Sequence, residues 1–327
     1  TTLAGGYYFY SQYTNYLQQP IELVAQSQPY EVTKGSSIRK VAKELEEQGV
    51  MKPALYFLAL AKLNKQTSQL KAGEYKLLAG MKPTDVLKLI TSGKAVQYKH
   101  TIIEGKTYKQ LVASIKTSSV LKQTLTDQDY EQIMKKVGSD FPHPEGAFFA
   151  DTYNFPKDTT DLDFLKRSHK MMKEKLKQAW GQRDPEVSIK TPYQALILAS
   201  IVEKETGDES ERSMIARVFI NRLDKSMLLQ TDPTVIYGMG DAYDGNIRKR
   251  DLTRDTSYNT YTRGGLTPTP IATPGKAAID AVMHPAAGDV LFFVAKGDGS
   301  GSSYFSKTNA DHNKAVAKYL RNLRKNK

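Results

Sequence analysis

Thr191-Pro192-Tyr193-Gln194-Ala195-Leu196-Ile197-Leu198-Ala199-Ser200-Ile201-Val202-Glu203-Lys204-Glu205-Thr206 is the stretch that decides the fold. Thr-Pro is a helix start, because threonine caps the first turn and proline's fixed φ and missing N–H suit the first helical position. A surface helix carries one apolar stripe. Here Ala195, Leu196, Ile197, Leu198, Ala199, Ile201 and Val202 leave only a narrow polar strip, so the helix belongs at the centre of a domain. At about 100° per residue, Glu205 projects between Leu198 and Ile201, beside Val202, in the widest apolar sector. Glu203 falls nearer Leu196 and Ala199.

Downstream, a second helix is expected over about Glu211–Leu223. A loop Leu229-Gln230-Thr231-Asp232-Pro233-Thr234 and a Gly-rich turn with Tyr237-Gly238-Met239-Gly240 follow. An irregular stretch then holds Ser257-Tyr258-Asn259-Thr260-Tyr261 and Pro268-Thr269-Pro270-Ile271-Ala272-Thr273-Pro274-Gly275. Polar, aromatic and proline-rich loops around one buried helix read as a groove. A helix at about Lys276–Met283, a strand at Val290–Ala295, a polar turn, a strand around Tyr304-Phe305 and a basic helix from about Asn309 close the chain.

Upstream, three segments repeat a strand, a glycine and a helix: Tyr30–Gly35, Tyr75–Gly80 and Thr101–Gly105. Counting from each glycine, the sixth and tenth positions are apolar (Val41/Leu45, Val86/Ile90, Leu111/Ile115), which puts them on one helical face. With a helix at Pro53–Leu63 between the first two, residues 28–97 read as a small α+β module. Residues 98–327 read as a larger mixed α+β domain built around the buried helix. It takes in a helix from about Tyr108, an ordered Pro/Gly turn within Pro142–Tyr153, and a long basic helix from about Asp161 to Trp180 that turns Leu162, Leu165, Met172 and Leu176 to a core.

The 327 residues carry Lys+Arg 47 against Asp+Glu 35, a formal net charge of +12. That balance favours an acidic partner such as nucleic acid, anionic lipid or a carboxylate-bearing polymer, and does not choose among them. The absence of cysteine removes disulfides, thiolate metal sites and cysteine nucleophiles. No apolar run reaches the roughly 18 residues of a membrane span. The opening Thr1–Tyr10, with Tyr7, Tyr8, Phe9 and Tyr10 together, has the aromatic character of the interfacial end of a spanning helix. Residues 1–27 are accordingly expected to be a membrane-proximal tail.

Glycoside cleavage needs a carboxylic acid still protonated near neutral pH, and an apolar pocket provides one by disfavouring the charged form. Glu205 has that setting, and no second acidic residue is expected in a comparably apolar frame. The five histidines lack paired ligand spacing, so neither a metal nor another cofactor is expected. Gly297-Asp298-Gly299-Ser300-Gly301 lacks the Lys-Thr/Ser of a phosphate loop and reads as a hairpin turn.

Ser200–Thr206, Val218-Phe219-Ile220-Asn221-Arg222-Leu223, Leu229–Gly238, Tyr258–Tyr261 and Ile271–Gly275, with Glu145-Gly146 and Asp151-Thr152-Tyr153 upstream, together resemble the YceG-like endolytic murein transglycosylases. The resemblance covers nearly all of the chain after about residue 28. It implies a LysM-like βααβ peptidoglycan-binding module at 28–97 and a catalytic domain at 98–327. The implied activity is that of a carbon–oxygen lyase cleaving MurNAc–GlcNAc β-1,4 bonds within nascent strands to leave 1,6-anhydro-MurNAc ends, in control of strand length. Its catalytic residue, the second Glu of Glu-Lys-Glu-Thr, maps to Glu205. Gln230, Thr231, Asp232, Tyr237, Tyr258, Asn259 and Tyr261 are candidates for binding the sugars. The implied setting is a single-pass protein of the inner membrane, held by an N-terminal helix this chain lacks, with its catalytic domain on the periplasmic side. Peptidoglycan strands and synthases are then the expected partners, and nucleic acid is not. A non-catalytic cell-wall-binding protein is the alternative reading.

Overall fold

The computed structural model describes residues 2–205 and 208–325. The chain forms a mixed α+β fold that divides into two compact units. One runs from the N-terminus to His100 and takes in Tyr153–Thr159; the other comprises Thr101–Thr152 and the chain from Thr160 on.

The first unit contains α1 (Thr2–Gln18), β1 (Ser27–Val32), α2 (Ile38–Glu47), α3 (Ala54–Leu63), β2 (Gly73–Leu78), α4 (Pro83–Ser92) and β3 (Tyr98–Thr101). β1 and β2 pair antiparallel, with Tyr30 opposite Tyr75. The Ser37 side chain caps α2 by accepting the Lys40 N–H. Val41, Leu45, Val86 and Ile90 are fully buried with Phe57, Tyr75 and Leu77, as their common helical face requires. The stretch expected as a tail carries α1, where Tyr13 and Tyr16, three residues apart on one face, pack into this core. Tyr7, Tyr8, Phe9 and Tyr10 stay exposed. Among the described residues no helix is long and apolar enough to cross a membrane.

The second unit begins with α5 (Tyr108–Lys116) and the short α6 (Asp127–Glu131) and α7 (Ile133–Lys136). The chain visits the first unit as β4 (Thr152–Phe155), which pairs with β3. It returns as α8 (Asp161–Gln182), α9 (Pro192–Glu205), α10 (Arg212–Asp224), α11 (Asp232–Met239), α12 (Lys249–Thr253), α13 (Lys276–Met283), β5 (Phe292–Ala295), β6 (Ser303–Ser306) and α14 (Asn309–Lys325). β5 and β6 form an antiparallel hairpin, Phe293 opposite Phe305. In α8 it is Phe164 that is buried beside Leu165, Met172 and Leu176, whereas Leu162 is only partly covered. The segment expected as loop and turn from Asp232 is helical, because Pro233 sits in the first turn of α11, where its missing N–H costs nothing.

The all-round apolar α9 is enclosed by α8, α10, α11 and α13. Ala195 through Val202 are all buried. Each large aliphatic side chain covered in this way contributes about 1.5–3 kcal/mol. The one polar group in that run, Ser200, donates to the Ile197 carbonyl (2.7 Å) and accepts the Ile271 N–H (2.9 Å). A hydroxyl that cost desolvation alone would be unfavourable; here it pins the 267–275 loop against the helix.

Candidate active site

The last turn of α9 leaves the core and delivers two glutamates to different surroundings. Glu203 accepts the Gly275 N–H (3.0 Å) and lies 3.7 Å from the Arg212 guanidinium, both side chains being nearly buried. The exposed Glu104 carboxylate lies close over Gly275, and a Cβ there would make that side chain swing aside. Gly105 and Thr273 continue this tie through the reciprocal bonds Gly105 N–H to Thr273 O and Thr273 N–H to Lys106 O, both 2.8 Å.

Glu205, partly buried, receives a hydrogen bond on Oε1 from the Thr231 hydroxyl. Oε2 has no hydrogen-bond partner among the described residues. Thr231 is held in turn: its N–H reaches Thr260 Oγ1 (3.1 Å), its carbonyl accepts the Thr234 hydroxyl (2.7 Å), and Thr234 and Thr260 hydroxyls are 2.9 Å apart. Gln230 precedes this knot in the left-handed region, φ 50°, a strained conformation for a side chain. Burial pushes the Glu205 carboxyl up to about 7; the Thr231 bond and Arg222 oppose the shift, and Asp232 adds to it.

Arg222 frames the same space. Its Nε donates to Leu291 O (2.7 Å) and its Nη1 to Leu228 O (3.1 Å) and Leu229 O (2.9 Å). The guanidinium thereby fastens β5 to the loop before α11. It lies 5.2 Å from the Phe292 ring centre, and Phe292 stacks on His312 at 5.2 Å. Burial and Arg222 hold His312 below its usual range, hence neutral.

Glu205 lines two clefts, of about 570 and 390 Å³. The larger is walled by Gln230, Asp232, Tyr261, Phe292, Asn309 and His312. The smaller reaches Glu104, Lys106 and Gln110, and Gln110 also lines a third cleft of about 780 Å³ with Glu145, Tyr237 and Tyr258. Polar groups along an extended, partly apolar furrow suit an oligosaccharide.

The candidate residues therefore separate. Gln230, Asp232 and Tyr261 face the Glu205 cleft, with the Tyr261 hydroxyl donating to Asp232 (2.6 Å). Thr231 is buried and touches the carboxyl itself. Tyr237 and Tyr258 lie in the third cleft, rings 4.9 Å apart, with the Tyr258 hydroxyl against Thr269 (2.8 Å). Asn259 is 1% exposed: its amide donates to the carbonyls of Asp251, Leu252 and Arg254, and its oxygen accepts the Tyr261 N–H. It braces the loop and faces no cleft.

One expectation is overturned. A second carboxyl does sit in an apolar frame: Glu145, 3% exposed, is pushed up to about 7 by burial, against hydrogen bonds from Tyr108 N–H (2.8 Å) and Tyr237 OH (3.0 Å). The Pro/Gly-rich segment around it has no periodicity to betray burial, and the groups that cover it come from distant elements. The Phe292–His312 wall was equally invisible, its only sequence signal being the apolar strand.

The comparisons with known proteins agree with one another. The model of the YceG-like family matches residues 30–318. An endolytic murein transglycosylase of Bacillus subtilis is 34% identical over 88% of this chain and 84% of its own length. One of Streptococcus pneumoniae is 28% identical over 97% of this chain, which spans 63% of that protein. The crystal structure of a YceG-like protein from Listeria monocytogenes superposes with a TM-score of 0.54 at 32% identity, covering 88% of this chain and 98% of the other. A match this long, at these identities and with a shared fold, makes this chain a member of the YceG-like family.

Proposed function

We propose that the protein is an endolytic peptidoglycan lytic transglycosylase and that Glu205 is its acid and base. The observation that carries this is the Glu205 carboxyl, pushed up to about 7, with one oxygen held by Thr231 and the residue lining two joined clefts. Protonated, Glu205 gives its proton to the glycosidic oxygen as the bond to MurNAc C1 breaks. As carboxylate it removes the proton of the MurNAc C6 hydroxyl, whose oxygen bonds to C1 and closes the 1,6-anhydro ring. The proton is back on Glu205, and no water is consumed. Paired carboxylates, which hydrolytic glycosidases need to activate water or form a glycosyl-enzyme, have no task in this sequence. Phe292 and His312 offer a flat wall to one sugar; Gln230, Asp232 and Tyr261 offer polar contacts.

On the same reading the substrate lies outside the cytoplasmic membrane, and peptidoglycan synthases are neighbours. The exposed aromatics of α1 suit a place at the membrane surface, and the first unit, with its β1-α2-α3-β2 order, suits a LysM-like glycan-binding role. Digestion of purified peptidoglycan with mass analysis of the released ends tests the activity. Anhydro-MurNAc ends from internal cuts are expected from the native protein; reducing ends alone, or no release, would overturn the reading.

A further inference from the structure

A fourth cavity, of about 490 Å³, opens on the other side of α11. Val235, Gly238 and Met239 line it from that helix, and Arg248, Arg250 and Arg254 from α12 and its flanks. Three guanidiniums around one hollow repel each other unless anions answer them, so their partners decide what the hollow is for. Arg248 has one: Asp244, at 2.6 Å. Among the described residues Arg250 meets one carboxylate, Asp251, which also lines the hollow; it stands 3.8 Å away and already accepts the Arg248 backbone N–H (2.8 Å). Arg254 has no carboxylate partner among the described residues, though its backbone is fixed by Asn259 (2.7 Å to its carbonyl). Two guanidinium forks, Arg250 inside the short α12 and Arg254 in extended backbone just past its end, are thus exposed at a formed cavity with donors to offer.

The wall between this hollow and the Tyr237–Tyr258 cleft is thin. Tyr237 and Tyr258 line the cleft, while Gly238, next in sequence, lines the hollow; a Cβ on Gly238 would lie 3.0 Å from the Tyr258 Cβ. A helix is about 10–12 Å across. A peptide of four or five residues reaches roughly 13–18 Å when extended, enough to pass over α11 from a sugar in the cleft.

We infer that the hollow bounded by Arg248, Arg250 and Arg254 is a subsite for the free carboxylates of the stem peptide that hangs from MurNAc, so that the enzyme reads the peptide as well as the glycan. The inference rests on the proposed glycan-cleaving function and adds a specificity site to it. Arg250 and Arg254 are the forks left to grip a carboxylate; Arg248, neutralised by Asp244, shapes the rim.

The test compares glycan strands bearing stem peptides with the same strands after an amidase has removed them, cut by the native protein and by Arg254→Ala. The native protein should prefer peptide-bearing strands, and that preference should shrink as salt rises. Arg254→Ala should lose about 10-fold in kcat/KM on peptide-bearing strands and almost nothing on bare ones. Arg254→Lys, which keeps the charge but not the fork, should recover only part of the loss. Equal loss on both substrates, or no loss on either, would overturn the subsite. Titration of isolated stem tetrapeptide separates the two levels: weakening by at least about 5-fold in Arg254→Ala supports the subsite, and unchanged binding sinks it. If the native protein cut neither strand, the glycan-cleaving function would fall while this titration still decided the hollow.

Discussion

Glu205 and Glu145 are both pushed up to about 7, and burial is the main cause for each. Their surroundings differ in what is left over. Glu145 borders the third cleft with both oxygens engaged, Oε1 accepting from Tyr108 and Oε2 from Tyr237, so it joins α5, the 142–150 segment and α11 as a strut. Glu205 has one oxygen held by Thr231 and the other unengaged among the described residues, at the junction of two clefts. A raised carboxyl pKa is therefore not itself a mark of catalysis. What distinguishes a reacting acid is an oxygen that a substrate can reach.

The sharpest way to break this contrast is Glu205→Gln, which keeps size and hydrogen bonding but cannot exchange a proton. Turnover should fall by at least about 10²–10⁴-fold with thermal unfolding little changed. In the native enzyme kcat/KM should fall as pH rises through about 7, because ionised Glu205 has no proton to give. Near-normal anhydro-product formation by the variant would remove Glu205 from the chemistry.

Glu145→Gln should affect stability rather than turnover. The Glu145 pKa is raised on folding from 4.5 to about 7, so the folded state binds the proton more tightly. Its stabilisation is complete below the unfolded value and is lost as pH rises to about 7, by up to about 3 kcal/mol. Glutamine mimics the neutral acid and should flatten that loss. Urea unfolding of both proteins at acidic and mildly alkaline pH measures it. A turnover loss equal to that of Glu205→Gln would erase the difference between the two sites.

Glu203→Gln comes next. It leaves the nearly buried Arg212 with the exposed Glu209, at 3.3 Å, as its one carboxylate partner among the described residues, and should cost about 1–3 kcal/mol, seen as a melting temperature several degrees lower. Turnover should change less than about 10-fold, since this carboxylate serves the Gly275 loop. The smallest effect is expected from Thr231→Val. The hydroxyl stabilises ionised Glu205, so its removal should move the alkaline fall in activity to higher pH, read from a kcat/KM profile; a move to lower pH would mean that Thr231 acts otherwise.

The sequence made α9 legible because its message is local: an apolar residue at nearly every position permits only a buried helix, and the helical angle then separates Glu205 from Glu203. The same periodicity revealed Val41/Leu45 and Val86/Ile90. Glu145 escaped because its burial is assembled by Tyr108 and Tyr237, which no local pattern connects to it. Asn259 stands among plausible sugar-binding residues, yet nothing in a one-dimensional pattern tells whether a loop amide turns outward or serves the carbonyls of its own loop. The Arg222–Phe292–His312 wall depends on a strand and a helix far along the chain, and pairing of that kind has no short-range signature.

That distant wall has a consequence in time. Synthesis runs from the N-terminus, at roughly 5–20 residues per second, and Phe292, Asn309 and His312 follow Glu205 by up to about a hundred residues. The acid therefore exists some 5–20 seconds before the surface that completes its cleft. A nascent chain carries the reactive group first and the means to seat a sugar beside it later, so the capacity to cut the wall is acquired well after the residue that does the cutting.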